Sequence, residues 1–314
     1  MAAYAARRQI FVFKMKTSTT RLCMLLFLLG SGCICFGVGQ PLQLADKVAN
    51  MTLSEISKNG PNAETASFVS RSMDVFWPRR NDLLSATAPF VESQEPATVA
   101  AGLDILYRLR SFQPQQGPAY DQKVWESENR ELFKQLDSRV LPELDRLLSS
   151  RDNSVLRTLA LYLGVSPSPA SKAALLHLAK DPSASEQALI CLAWHRDTKD
   201  LDSFEPFLLE GGREAASLPY HLRNSYGAAA VPCLLRALAG ANSPFVRLQT
   251  AFELTLLNEK AGVIYLYQAV LRRDEVSNGI AQASEIKQFA IDRLGFPKGD
   301  PDLPDLEAFL KSKM

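Results

Sequence analysis

Apolar residues recur at spacings of three and four along the chain from residue 40 onward. No stretch alternates apolar and polar residues over several positions as a half-buried strand does. After Pro96, for example, Val99, Leu103, Leu106 and Leu109 share one helical face. The pattern predicts an all-α fold. The helices expected before the middle of the chain cover residues 42–57, 64–76, 81–91, 96–109 and 120–140.

A repeat begins at residue 141. The segment Pro142–Leu148 matches the segment Pro232–Leu238 in its Pro, Leu, Arg and Leu positions at a shift of 90 residues. A period of 30 residues, which is one third of that shift, aligns apolar residues in four columns. Helix pairs that each bury an apolar stripe against the next pair explain such columns. The four columns are Leu148, Leu178, Leu208 and Leu238; Leu144, Ala174, Phe204 and Leu234; Tyr162, Leu192, Leu222 and Phe252; and Thr158, Ala188, Leu218 and Leu248.

These units resemble the HEAT-like repeats of the armadillo-type α-solenoids, in the short form that is also found in phycobilisome lyases. The resemblance covers residues 141–257 well and 258–296 more loosely. It implies stacked antiparallel helix pairs, with an Asp or Asn in the turn and an Arg early in the second helix that bond the backbone. The residues that carry the resemblance are Pro142, Leu148, Asp152, Val155, Arg157, Ala160 and Gly164, and again Pro232, Leu238, Asn242, Val246 and Arg247. The turn positions are Asp152, Arg157, Asn242 and Arg247.

The middle units depart from this pattern. Gln187 and Ser217 stand where the Arg is expected, and Pro219 falls inside the expected second helix of the third unit. Because proline disrupts a helix interior, we predict an irregular third unit between residues 209 and 227. Residues 40–140 are helical without a legible repeat, so we predict an N-terminal helical region there and a HEAT-like repeat region over 141–314.

The first 39 residues form a separate segment with five basic residues and no acidic residue. An apolar run, Leu22–Leu29, follows the basic part, and small residues lead to Gly39. This order is typical of a secretory signal peptide, and we predict cleavage after Gly39. Cleavage would change the net charge of the chain from +1 to −4.

Two alternatives for this leader stay open. An uncleaved membrane anchor needs about 20 apolar residues, whereas Leu22–Val38 offers 17 uncharged residues, several of them Gly or Ser. The sequence Leu29–Cys33 resembles a lipobox, with Gly30 where a Leu is expected, so Cys33 is a candidate for lipidation. A membrane contact is expected only in these two cases. After the leader only Cys191 and Cys233 remain, which excludes a disulfide scaffold.

Composition and charge narrow the function further. Hydrophobic residues make up 46% and charged residues 22%, with 35 Lys and Arg against 34 Asp and Glu. This balance argues against a nucleic-acid partner. His177, His195 and His221 show no metal-ligand spacing, and the chain has neither a GxSxG elbow nor a phosphate-binding glycine loop. We predict no catalytic residue, no cofactor and no metal site.

We therefore expect an exported, non-enzymatic scaffold, periplasmic or secreted, that binds a protein or peptide partner. The family resemblance implies that the second helices line the inner surface, which makes Gln187, Arg223 and Glu253 the candidate binding residues. One alternative is an exported lyase or hydrolase on a helical scaffold. The other is a structural protein of the cell envelope anchored through Cys33.

Overall fold

A computed structural model of the protein describes residues 40–112, 122–271, 279–298 and 303–314. Within these ranges the chain is helical and contains no strand, which confirms the all-α prediction. None of the described helices combines the length and the apolar character needed to cross a membrane. The predicted leader and its cleavage site lie outside the described residues.

The chain divides into two compact units, Met1–Leu136 and Asp137–Met314. In the N-terminal unit the helices are α1 (Gln40–Asn59), α2 (Ala63–Arg71), α3 (Met73–Phe76), α4 (Arg80–Thr87), α5 (Pro96–Ser111) and α6 (Gln122–Glu128). A further helix, α7 (Arg130–Val140), contains the division between the units. Helix α5 packs on α2 and α4, and α1 packs on α4.

Two helices predicted as continuous are interrupted. The helix expected over 64–76 breaks at Ser72, whose backbone leaves the helical conformation. The helix expected over 120–140 breaks at Asn129. There the side-chain amide of Asn129 donates to the carbonyl of Trp125 at 2.9 Å. The backbone N–H of Asn129 donates to the same carbonyl at 3.1 Å. Apolar spacing alone does not predict this break.

Aromatic side chains form part of the core of the N-terminal unit. The rings of Trp77 and Trp125 stack with centroids 6.4 Å apart. The ring centroids of Phe112 and Trp77 are 5.3 Å apart, and those of Phe133 and Trp125 are 5.0 Å apart. The buried Arg110 places its guanidinium carbon 4.9 Å from the centre of the Phe133 ring. Large rings with a cation over one face bury much apolar surface from residues far apart in sequence.

In the first part of the C-terminal unit, the first and second helices of four successive repeat units alternate. The first helices of the pairs are α8 (Leu144–Leu148), α10 (Pro169–Leu178), α12 (Leu201–Glu210) and α14 (Val231–Gly240). The second helices are α9 (Asn153–Gly164), α11 (Ser185–Trp194), α13 (Leu218–Tyr226) and α15 (Pro244–Leu256). Three more helices follow, α16 (Lys260–Leu271), α17 (Gly279–Leu294) and α18 (Leu303–Lys313).

Each second helix packs on the next one, in the order α9, α11, α13, α15. Helix α9 also packs on α8, α11 on α10 and α15 on α14. Among the first helices, α8 contacts α10 and α12 contacts α14. Consecutive pairs are therefore neighbours in space.

The apolar columns are buried with some variation. All four residues of the column in the second helices are buried, namely Tyr162, Leu192, Leu222 and Phe252. In the column that ends the first helices, Leu178 and Leu208 are fully buried, whereas Leu148 and Leu238 are half-buried. The 30-residue period thus corresponds to repeated burial in the middle of the region.

The third unit is irregular, as its glycines and proline predict. Helix α12 ends at Glu210, a short 3-10 turn covers Arg213–Ser217, and α13 begins at Leu218. Pro219 therefore lies in the first turn of α13, where a missing backbone N–H costs nothing. The proline shortens this second helix and does not kink it. At Gly211 any side chain would overlap the carbonyl oxygen of Phe207, so only glycine fits.

Candidate functional site

Polar side chains from three consecutive second helices and the turn before α13 form the candidate site, which we call the second-helix ladder. Helices α11, α13 and α15 carry them, and these helices pack on one another in that order. The arrangement follows from the repeat, because positions about 30 residues apart lie on neighbouring helices. The ladder comprises Glu186, Gln187, Ser217, Tyr220, His221, Arg223, Gln249 and Glu253.

The centre of the ladder is an ion pair between Arg223 and Glu253, which are 30 residues apart. The Nε of Arg223 donates to Oε2 of Glu253, whose side chain is only 3% exposed. The amide of Gln249 donates to the other carboxylate oxygen at 2.7 Å. Both oxygens of a buried carboxylate are thus bonded, as a buried charge requires.

Arg223 reaches the surface on its other side. Its side chain is 23% exposed, and its two terminal nitrogens have no partner in the part of the chain that the structure describes. The ring of Tyr220, a residue that is 43% exposed, lies with its centre 5.6 Å from the guanidinium carbon. The ladder therefore presents donor groups next to an exposed aromatic ring.

His221 lies half-buried beside this pair, with its ring edge-on to Tyr220 at 5.2 Å. Burial lowers the pKa of His221, although the carboxylates of Glu186 and Glu253 act in the opposite direction. The imidazole is therefore neutral at pH 7. Glu186 also accepts a hydrogen bond from the hydroxyl of Ser217 at 3.2 Å.

Of the three predicted binding residues, the structure brings two together. Arg223 and Glu253 contact each other directly. Gln187 is half-buried, and its side-chain amide donates to the sulfur of Cys191 one turn further along α11 at 3.3 Å. Gln187 is thus engaged with its own helix.

The turn residues of the first unit, Asp152 and Arg157, both bond backbone groups. The carboxylate of Asp152 accepts from the backbone N–H of Ser154 at 2.8 Å and of Val155 at 3.2 Å, which caps α9. Hydrogen bonds lower the pKa of Asp152. The bond from the Ser154 hydroxyl contributes most, and the bonds from these two amides contribute less. Arg157 donates from Nε to the carbonyl of Ser183 at 3.0 Å, in the turn of the next unit.

The turn residues of the fourth unit, Asn242 and Arg247, make different contacts. The backbone N–H of Asn242 donates to the carbonyl of Leu209 at 2.9 Å, and Ser243 occupies the N-cap position of α15. The Nε of Arg247 is buried and has no partner among the described residues. The position that corresponds to the Ser183 carbonyl is residue 273, which lies outside them.

A buried polar cluster between the second and third units carries no local motif and was not predicted. The amine of Lys172 bonds Oδ1 of Asp200, which is 1% exposed, and lies 3.4 Å from Asp197. The other oxygen of Asp200 and the hydroxyl of Tyr226 are buried without a partner in the described ranges. Burial, with the nearby carboxylates of Asp200 and Asp197, raises the pKa of Tyr226.

Other polar contacts also join positions about one unit apart. His195 bonds the carbonyl of Leu163 through Nε2 at 2.9 Å. Arg236 donates from Nε to Glu205 at 2.9 Å and from a terminal nitrogen to Asp202 at 3.1 Å. These bonds link neighbouring units directly. The sequence repeat does not reveal these bonds, because each bond joins a different pair of residue types.

Both cysteines of the described chain are buried and free. Burial raises the pKa of Cys191 to about 12 and that of Cys233 to about 11. Neither thiol is an activated nucleophile, since nucleophilic cysteines have a lowered pKa. Within the ranges that the structure covers, no group of three or more His, Cys, Asp or Glu residues is arranged to hold a metal ion.

Comparison of the chain with models of protein families, with characterised proteins and with solved structures gives no match.

Proposed function

We propose that the protein is a HEAT-like α-solenoid that binds a protein or peptide partner along its second-helix ladder. The observation that carries the proposal is the stacking of α9, α11, α13 and α15, with polar groups aligned across the last three of them. Stacked helix pairs produce an extended surface on which a partner contacts several units at once.

The chemistry of the ladder favours binding over catalysis. The Glu253 carboxylate is buried and held by two donors, and burial raises the pKa of the Cys191 thiol on α11. Groups fixed in this way orient a partner through hydrogen bonds. A general acid or base would need a pKa close to the working pH and access to a substrate.

The proposal includes export. The basic, apolar and small-residue order of residues 1–39 supports a signal peptide cleaved after Gly39. Mass spectrometry of the mature N-terminus tests this part. A chain beginning at Gln40 supports it, an acylated Cys33 favours the lipoprotein, and an intact leader contradicts both.

The binding surface is tested by site-specific photocrosslinking in the cells that make the protein. A photoreactive phenylalanine replaces Tyr220 on the ladder or, as a control, Leu235 on the first helix α14. The control residue has a similar exposed fraction, 36% against 43%. We expect discrete adducts from position 220 and none of the same mass from position 235. Equal adduct patterns, or none at either position, would contradict the proposal.

A further inference from the structure

The orientation of Arg223 suggests which chemistry a partner must offer. Its Nε is fixed by the buried Glu253, so one edge of the planar guanidinium is used within the protein. The edge with the two terminal nitrogens has no partner among the described residues. Such a pair of parallel N–H groups matches the two oxygens of a carboxylate. Because Glu253 already holds the group in place, little side-chain freedom remains to be lost on binding.

The charges around this edge favour an anion. Glu253 is 3% exposed and lies behind the guanidinium, so an approaching group meets Arg223 first. His221 is neutral at pH 7. Glu186, the other carboxylate that acts on His221, is exposed and accepts a hydrogen bond from Ser217. Solvent and salt weaken the repulsion from an exposed charge.

Tyr220 adds a second element of recognition. Its exposed ring lies beside the guanidinium and is free to cover an apolar side chain next to the bound acid. We infer that Arg223 and Tyr220 together bind an Asp or Glu side chain of an extended peptide, with an apolar residue beside it. This inference rests on the proposed function and names the partner chemistry at the same site.

The test is selection of peptides from a random display library on the immobilised full-length protein. One position of the selected peptides should be acidic several-fold more often than in the library, with an apolar residue nearby. Changing that acid to its amide in a synthetic peptide should weaken binding about tenfold or more, the size of a charged hydrogen bond.

Three variants sharpen the test. Arg223→Lys keeps the charge opposite Glu253 but lacks the paired N–H groups, so it should lose about tenfold in affinity and most of the acidic preference. Tyr220→Ala should keep the acidic preference and lose the apolar one. Arg236→Lys, at an arginine that pairs on the first helices, is the matched control and should bind as the wild type does. Circular dichroism of each variant reports whether it is folded.

The outcomes separate the two proposals. Selected peptides without an acidic position, or an unchanged preference in a folded Arg223→Lys variant, would overturn the inference and leave the peptide-binding function standing. Failure of the wild type to select any peptide would overturn the inference, and absence of ladder-specific crosslinks would overturn the function itself.

Discussion

Both compact units are helical, but different kinds of contact join the helices within each unit. In the N-terminal unit, Trp77, Phe112, Trp125 and Phe133 join helices through their rings, with Arg110 over one of them. In the C-terminal unit, apolar residues 30 positions apart are buried on successive second helices, as Tyr162, Leu192, Leu222 and Phe252 are. The C-terminal unit therefore repeats a kind of apolar contact, whereas the N-terminal unit uses each ring contact once.

This difference explains why only one unit shows a period in its sequence. A contact that is made again in each pair requires similar residues at a fixed spacing. A ring cluster requires only that large side chains meet at one place, from any positions in the chain. The absence of a repeat before residue 140 thus reflects how that unit is packed. Four sets of substitutions, in order of decreasing effect, test this comparison.

Trp125→Ala should have the largest effect, a loss of about 4 kcal/mol of unfolding free energy, because it empties a site that contacts two aromatic rings. Denaturant unfolding measures it. Trp125→Phe should cost much less, since it keeps most of the ring and removes an indole N–H that is buried without a partner in the described chain. Equal losses for the two variants would contradict the role of the ring cluster.

Glu253→Ala should cost about 3 kcal/mol, because it leaves the guanidinium of Arg223 without its buried partner. The matched control is Glu205→Ala, which removes one of the two acidic partners of Arg236 on the first helices. Both side chains of that pair are well exposed, 30% and 44%, and its loss should cost less than about 1 kcal/mol. Urea titrations of both variants provide the comparison. A larger loss for Glu205→Ala would show that the ladder does not stabilise the repeat.

Two glycine-to-alanine substitutions, one in each unit, should change the stability of the protein in opposite directions. A methyl group at Gly164 would lie 2.7 Å from Cβ of Cys191 and 2.9 Å from a ring atom of Trp194, where α9 meets α11. Gly164→Ala should therefore destabilise by about 2 kcal/mol. In the N-terminal unit, a methyl group at Gly102 would find only ordinary contacts at 3.8 Å or more. Gly102→Ala, inside α5, should stabilise by up to about 1 kcal/mol. Melting temperatures that shift in the same direction would contradict the close approach of α9 and α11.

The smallest effect is expected for the cap of α9. Hydrogen bonds from Ser154 and Val155 hold the pKa of Asp152 below its usual value of about 3.9, so the ionised form stabilises the fold above that pH. This contribution disappears as the pH falls through the lowered pKa. Asp152→Asn keeps an accepting oxygen and should be slightly less stable than the wild type at pH 7. The difference should shrink below pH 4 in thermal melts; a constant difference would show that the charge plays no part.

Sequence patterns predicted the helices and the period well, but they missed the contacts that break or join them. The break at Asn129 falls within a continuous pattern of apolar residues, which therefore does not reveal it. Arg223 and Glu253 were both candidates because they lie on second helices. That they face each other depends on the stacking of α13 on α15.

Sequence patterns also give no indication of the contact between Lys172 and Asp200. Its members are 28 residues apart and are of opposite charge, so neither composition nor a shared column points to them. Burial of Asp200 depends on how the second and third units meet. A period predicts which units are neighbours, while the identity of the bonded residues requires the three-dimensional arrangement.

The protonated state of the two buried thiols has a practical consequence. Because burial raises the pKa of Cys191 and Cys233 far above 7, both thiols are protonated in the folded chain at neutral pH. Disulfide exchange and peroxide oxidation both proceed through the thiolate. These two thiols should thus resist oxidants while the chain is folded, and their labelling by an alkylating reagent should report on its unfolding.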